Sequence, residues 1–134
     1  LNIWEQKLGG FSDKTIAILG ISFKPNTDDL REAPALSIIQ QLQHKQANIR
    51  VHDPIAKLPE AFRSEKVQQF DTIEITLQQC DALILCSEWK DYIGADWEQL
   101  RARMTNYFVF DGRNKLNGKE MTRLGYSYFG IGNR

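Results

Sequence analysis

Residues 15–34 read TIAILGISFKPNTDDLREAP. The first five, Thr15–Leu19, form a short apolar run rich in β-formers, which predicts a buried strand. Gly20 follows, and then a polar stretch from Ile21 to Pro34 that carries Lys24, Asp28, Asp29, Arg31 and Glu32. Pro34 fits the first turn of a helix, where a preset φ helps and the missing N–H is not needed. Ala35, Leu36, Ile38, Ile39 and Leu42 then supply one apolar stripe at helical spacing. A strand, a long loop and a helix in that order open an α/β fold.

The alternation continues on both sides of this unit. Upstream, Leu1, Trp4 and Leu8 lie on one helical face, and Gly9-Gly10 ends that helix. Residues 1–10 read as the end of a connector arriving from an earlier part of a longer chain, an expectation reinforced by a first residue, Leu1, that is not Met. Downstream, strands are expected at Asn48–Val51, Val67–Phe70, Ala82–Leu85, Tyr107–Phe110 and Tyr126–Phe129. Ile73, Leu77 and Cys80 suit a short helix, and Trp97, Leu100 and Met104 another. Strands alternating with helices imply βαβ units, and continuous apolar strands such as ALIL imply a sheet covered on both faces. The expectation is a single domain over residues 11–134, Rossmann-like and doubly wound, with a mainly parallel sheet of five or six strands.

Composition narrows the function classes. With 134 residues, 42% hydrophobic and 25% charged, the chain is an ordinary globular domain able to bury a core. Seventeen basic and seventeen acidic residues balance, without basic runs, which argues against nucleic acid as a partner. No apolar stretch reaches the roughly 20 residues of a membrane span. No charged-then-apolar leader is visible, so the cytoplasm is the expected location. Cys80 and Cys86 lack metal spacing and read as buried thiols of a reducing compartment.

In a doubly wound sheet, ligands bind outside the carboxyl ends of the strands, near the point where strand order reverses. Three loops are expected there: Gly20–Lys24 after the first strand, Ser87–Lys90 after the fourth, and Asp111–Asn114 after the fifth. If the first and fourth strands are neighbours, Lys24 and Arg113 converge as a cationic pair suited to a diphosphate. The plainer alternatives are a solvated Lys24 and an Arg113 paired with Asp111 or Asp29. A primary dinucleotide site would need G-x-G-x-x-G after the first strand; here Gly20 stands alone before the bulky Phe23. Asp53-Pro54 then reads as a turn more readily than as a ribose-binding acid. Asp28-Asp29 reads as a turn or cap more readily than as a metal site. Trp89 could stack on a base or simply pack. His44, on a helix surface, and His52, beside a turn, have no partner that would suggest catalysis, and no Ser/His/Asp or Cys/His arrangement appears.

The run Gly20–Pro34 closely resembles the signature loop of the UDP-glucose/GDP-mannose dehydrogenase family, at the start of its C-terminal, UDP-binding domain. VHDP at 51–54, CDALILCSEWKDY at 80–92, FDGRN at 110–114 and YFGIG at 128–132 agree in order, so the resemblance spans nearly the whole chain. It implies that Phe23, Lys24 and Arg113 contact a bound UDP-sugar. It also implies that Arg31 reaches towards NAD held by another domain, unless it pairs with Asp28 or Glu32. Family members oxidise the sugar C6 alcohol to a carboxylate by two hydride transfers to NAD, through an intermediate held on a cysteine in a glycine-rich motif.

Neither LQQCDAL around Cys80 nor LILCSEW around Cys86 matches that motif, so the chain is expected to carry no catalytic residue and to be inactive alone. The implied whole is a dimeric or larger NAD-dependent enzyme whose NAD-binding and central domains lie outside these residues. The wording is most like UDP-glucose dehydrogenases; the GDP-mannose and N-acetylhexosamine branches, or a stand-alone nucleotide-binding module, are the alternatives. A receiver-like signalling domain fits poorly, since Arg113 stands where it would need a lysine. The family's usual Gly-Ile-Gly-Arg ending is here Gly130-Ile131-Gly132-Asn133-Arg134.

Overall fold

The computed structural model describes residues 1–22, 26–31 and 33–131. Six strands form one parallel sheet: β1 (Thr15–Leu19), β2 (Asn48–His52), β3 (Val67–Gln69), β4 (Ala82–Leu85), β5 (Phe108–Asp111) and β6 (Ser127–Phe129). Their order is β3-β2-β1-β4-β5-β6, so the chain starts in the middle, winds to one edge, then returns and winds to the other. The reversal falls between β1 and β4, where Ile18 registers with Ile84 and Leu19 with Leu85. Every expected strand is present, within a residue of the expected bounds.

Alternation along β1 divides the core between two faces. Ile16 and Ile18 face one cluster with Ile39, Leu42, Ile49, Val51 and Phe110. Ala17 and Leu19 face the other, with Leu83, Leu85, Tyr92, Trp97 and Val109. Helix α1 (Asn2–Leu8) and helix α2 (Pro34–His44) belong to the first face. Helices α3 (Ile73–Leu77), α4 (Lys90–Ile93), α5 (Trp97–Leu100) and α6 (Gly118–Arg123) belong to the second. Burying an aliphatic side chain such as Ile16 or Leu83 contributes roughly 1.5–3 kcal/mol against the entropy of ordering the chain.

Local chemistry sets the helix ends. Pro34 occupies the first position of α2, as expected, but the cap is Ala33, not an acidic side chain. Thr72, Asp96 and Asn117 cap α3, α5 and α6 by accepting from Ile75, Gln99 and Glu120 amides. Helix α1 ends at Gly9 in the left-handed conformation. It is fastened to the domain: Trp4 stacks on Phe110 at 5.3 Å between ring centres, and Glu5 pairs with Lys45 at 2.9 Å. The periodicity at Trp97–Met104 resolves into α5 plus a 3-10 turn at Arg101–Arg103. Helices α4 and α6 are too short, at four and six residues, to show a period in sequence.

Candidate functional site

Where β1 and β4 run side by side, the chain leaves them in tight formation. Leu19 O accepts from Cys86 N at 3.0 Å, Leu85 O from Gly112 N at 2.9 Å, and His52 O from Gly20 N at 2.8 Å. The loops after β1, β2, β4 and β5 therefore start from one rim of the sheet. Gly20 has φ +88° and lies against the β4 loop so closely that a Cβ there would sit 2.4 Å from Ser87 Cβ. At Gly112, a Cβ would sit 2.8 Å from Leu85 O. Backbone approaches this close are why glycine occupies both loop starts.

Two buried carboxylates shape the loops beyond these strand ends. Asp53 accepts from Ile21 N (2.8 Å) and Ser22 N (3.4 Å) through Oδ2, and from Ile55 N (2.9 Å) and Ala56 N (2.7 Å) through Oδ1. It is the turn-former expected from Asp-Pro, and it also fastens the β1 loop to the β2 loop. Asp111, fully buried, accepts from Arg113 N at Oδ1 (2.9 Å). Its Oδ2 takes Lys115 N (2.9 Å), Leu116 N (2.8 Å) and Tyr128 Oη (2.7 Å). Nothing about the residue type alone marks Asp111 as an organiser. Its place at a strand end before glycine is the signal that could have found it.

Arg113 lies on this rim, half-buried, and donates to Glu88 Oε2 from Nη2 at 3.2 Å. The plainer alternative paired Arg113 with Asp111 or Asp29; Asp111 accepts from the Arg113 amide, and the described side-chain pairing is with Glu88 from the β4 loop. Lys115 Nζ approaches the other oxygen, Glu88 Oε1, at 3.4 Å. The Arg113 hydrogen bond, followed by that from Lys115, holds the Glu88 carboxyl below the usual carboxylate range. Phe23 and Lys24 lie outside the described residues, so the convergence of Lys24 with Arg113 has no distance attached to it. Glu88 stands in a loop placed at the rim from sequence but had no role assigned there, and Lys115 was not singled out at all.

Arg31 is exposed and clamps Asp29, with Nη2 2.7 Å from Oδ2, Nε 3.0 Å from Oδ1 and its own amide also on Oδ1. Its partner is Asp29, not Asp28; Glu32 lies outside the described residues. The guanidinium hydrogen bond holds the Asp29 carboxyl down at about 2. Asp28-Asp29 thus reads as turn chemistry.

His52 has a hydrogen-bond partner in the interior: its Nδ1 lies 2.8 Å from Tyr92 Oη, itself a donor to His52 O at 3.1 Å. Burial lowers the His52 pKa and raises that of Tyr92. Trp89 is packed in the second core cluster. Cys80 and Cys86 are buried free thiols, each pushed up to about 12 by burial.

The dinucleotide reading of this rim fails on two residues. Gly20 is a lone glycine, and Asp53, where a ribose-binding acid would stand, has its oxygens committed to four backbone amides. A groove of about 690 Å³ opens beside Gly112, lined among others by Ile3, Trp4, Ile38, Gly130 and Ile131. No helix among the described residues is long and apolar enough to cross a membrane.

Comparison with known proteins gives consistent matches. Residues 17–118 match the family model described as UDP-glucose/GDP-mannose dehydrogenase family, UDP binding domain. The UDP-glucose 6-dehydrogenase of Pseudomonas aeruginosa is 36% identical over 130 residues, an alignment covering 92% of this chain and 29% of that protein. Among solved structures, a UDP-glucose dehydrogenase from Pyrobaculum islandicum superposes with TM-score 0.72 at 30% identity, over 89% of this chain and 26% of the other. An NDP-N-acetyl-D-galactosaminuronic acid dehydrogenase from Methanosarcina mazei superposes with TM-score 0.80 at 26% identity, over 97% and 27%. The chain thus spans less than a third of the length of these relatives.

Proposed function

The chain belongs to the UDP-glucose/GDP-mannose dehydrogenase family, matching its UDP binding domain, and from that premise we propose that its switch-point rim holds the diphosphate of a UDP-sugar. In this reading Lys24 supplies a point charge and Arg113 a planar fork to the diphosphate, while Phe23 contacts the nucleotide sugar. The observation that carries it is the adjacency of β1 with β4 and of β4 with β5, which starts the loops after β1 and β5 from one rim. That Arg113 already engages a carboxylate there supports a site built for an oxyanion.

In the whole enzyme we assign the chain to an NAD-dependent UDP-glucose 6-dehydrogenase. One C6 alcohol and one water would become a carboxylate, with two hydrides passing to two NAD+ and three protons released. NAD itself would rest chiefly on another domain, because Gly20 and Asp53 do not fit it here; Arg31 is the residue assigned to reach it. Residues 1–10 are assigned as the end of an interdomain connector that also serves dimer formation, and the enzyme is assigned to the cytoplasm. The nearness of the fold to an N-acetylhexosamine-type dehydrogenase keeps that branch as the second reading of the sugar.

The test is titration calorimetry of the chain with UDP. Wild type binds weakly, with Kd above micromolar, and Lys24→Ala or Arg113→Ala each lowers affinity by about 1–3 kcal/mol, the scale of a charge-assisted hydrogen bond. Unchanged affinity in both variants sinks the assignment. Mixed with UDP-glucose and NAD, the chain alone produces no NADH; steady turnover would overturn the proposed division of labour.

A further inference from the structure

The β5 loop offers a second cation to the rim. Because Asp111 grips the amides of Arg113, Lys115 and Leu116, and Asn114 between them is left-handed at φ 55°, the 113–115 turn has a set shape. That shape sends both Arg113 and Lys115 to one carboxylate: Nη2 to Glu88 Oε2 at 3.2 Å, Nζ to Oε1 at 3.4 Å. Glu88 arrives from the β4 loop, so three charged side chains from two neighbouring loops meet at the switch point.

These contacts are loose for ion pairs. Charge-assisted N–H···O bonds settle near 2.7–2.9 Å, and the surface pairs Arg31–Asp29 and Arg123–Glu120 sit at 2.7 and 2.6 Å. Glu88 divides its two oxygens between two cations and closes on neither. The trio has a formal charge of +1, whereas a nucleoside diphosphate brings two or more negative charges and many more oxygens. Once a diphosphate engages the cations, the Glu88 carboxylate becomes a like charge a few ångströms away.

We propose that Lys115 is a further diphosphate-binding residue and that Glu88 is an intrinsic competitor, a carboxylate that occupies Arg113 and Lys115 until a nucleoside diphosphate takes both cations over. This rests on the reading of the rim as a UDP-sugar site and adds to it one residue that attracts the ligand and one that opposes it. It also makes the rim selective: a ligand with a single phosphate engages one cation at a time and displaces Glu88 less well than a diphosphate.

The experiment is calorimetric titration of the chain and its variants with UDP, and with UMP, at about 20 and about 300 mM salt. Glu88→Gln, which keeps an acceptor and removes the charge, tightens UDP binding about three- to ten-fold at low salt, the scale of one partly screened charge. The gain shrinks at high salt and is smaller for UMP. Lys115→Met weakens UDP binding several-fold without lowering the melting temperature, its side chain being half exposed.

If Glu88→Gln leaves UDP affinity unchanged or weakens it, Glu88 orients Arg113 and is no competitor. If Arg113→Ala weakens binding but Lys115→Met does not, Lys115 is outside the site while the diphosphate reading stands. If wild type shows no binding of UDP, the diphosphate site itself is wrong and the roles of Lys115 and Glu88 fall with it.

Discussion

Replacing Gly20 with alanine tests how the fold builds its rim. At φ +88°, an L-residue pays the left-handed penalty of roughly 1–2 kcal/mol. Its Cβ would lie 2.4 Å from Ser87 Cβ, 3.2 Å from Ser87 N and 3.3 Å from Ser87 Cα. Carbon pairs settle near 3.5–4.0 Å, so the β1 and β4 loops must part by about an ångström, because the obstacle is a Cβ that moves only with its backbone, not a mobile side-chain tip. Overpacking of this kind costs about 1–3 kcal/mol. Alanine's restriction of the unfolded chain offsets at most about 1 kcal/mol. The sum is a loss of about 1–4 kcal/mol, a large share of the roughly 5–15 kcal/mol that holds a domain folded. In urea, with a slope of about 1–3 kcal/mol per molar, the midpoint drops by about 1–3 M. Gly9→Ala is the matched control, since Gly9 has nearly the same torsion, φ +84°, with nothing within 4 Å of its Cβ. The difference between the two variants isolates the clash. Should Gly20→Ala lose no more stability than Gly9→Ala, the claim that the two loops touch at Gly20 and Ser87 is wrong.

Buried titratable groups set two further outcomes. Burial lowers the His52 pKa, against the carboxylates of Asp53, Asp91 and Glu74, so the unfolded chain takes up the proton first as pH falls. Stability therefore declines as pH drops through the ordinary value of 6.5, and the penalty stops growing below the folded pKa. Urea midpoints between about pH 8 and about pH 5.5 show that decline, and His52→Gln flattens it; an unaltered slope would remove His52 as its source. Cys80 and Cys86, with thiols pushed up to about 12, resist iodoacetamide at neutral pH in the folded chain and react in urea. Rapid native labelling of either, read by mass, would contradict its burial.

The strands were legible because their apolar runs are continuous and short, with β4 carrying ALIL between Asp81 and Cys86-Ser87. The reversal of strand order followed from the alternation of strands and helices, and the rim from that reversal. Side-chain pairing was not legible. Arg113 has acids nearby in sequence, yet its partner, Glu88, lies 25 positions away and reaches it only because β4 and β5 are adjacent. His52 found Tyr92 across 40 positions through α4, a helix of four residues with no periodic signature. Arg31 shows the limit at short range: Asp28 and Asp29 are both within reach by count, and turn geometry, set where Thr27 Oγ1 accepts from Asp29 N, selects Asp29 over Asp28. Phe23 and Lys24 carry much of the family resemblance, but they lie outside the described residues, so their roles rest on sequence.

The two buried aspartates explain why so little of this rim depends on side chains finding one another. A loop leaving a parallel strand exposes backbone amides with no ladder partner, and each amide left unsatisfied in the interior costs about 1–3 kcal/mol. Asp53 answers four of them and Asp111 three, each from the end of a strand whose position the sheet already fixes. Pro54 assists by having no amide of its own to satisfy between Asp53 and Ile55. The loop starts are thus shaped by the folded interior, and the cations Arg113 and Lys115 project from backbone already in place. In the proposed diphosphate site, ordering done during folding is not repeated on binding, so more of each cation's attraction would appear as affinity. A rim of this construction needs no glycine-rich phosphate cradle, which is consistent with the lone Gly20 where a dinucleotide fold would carry three.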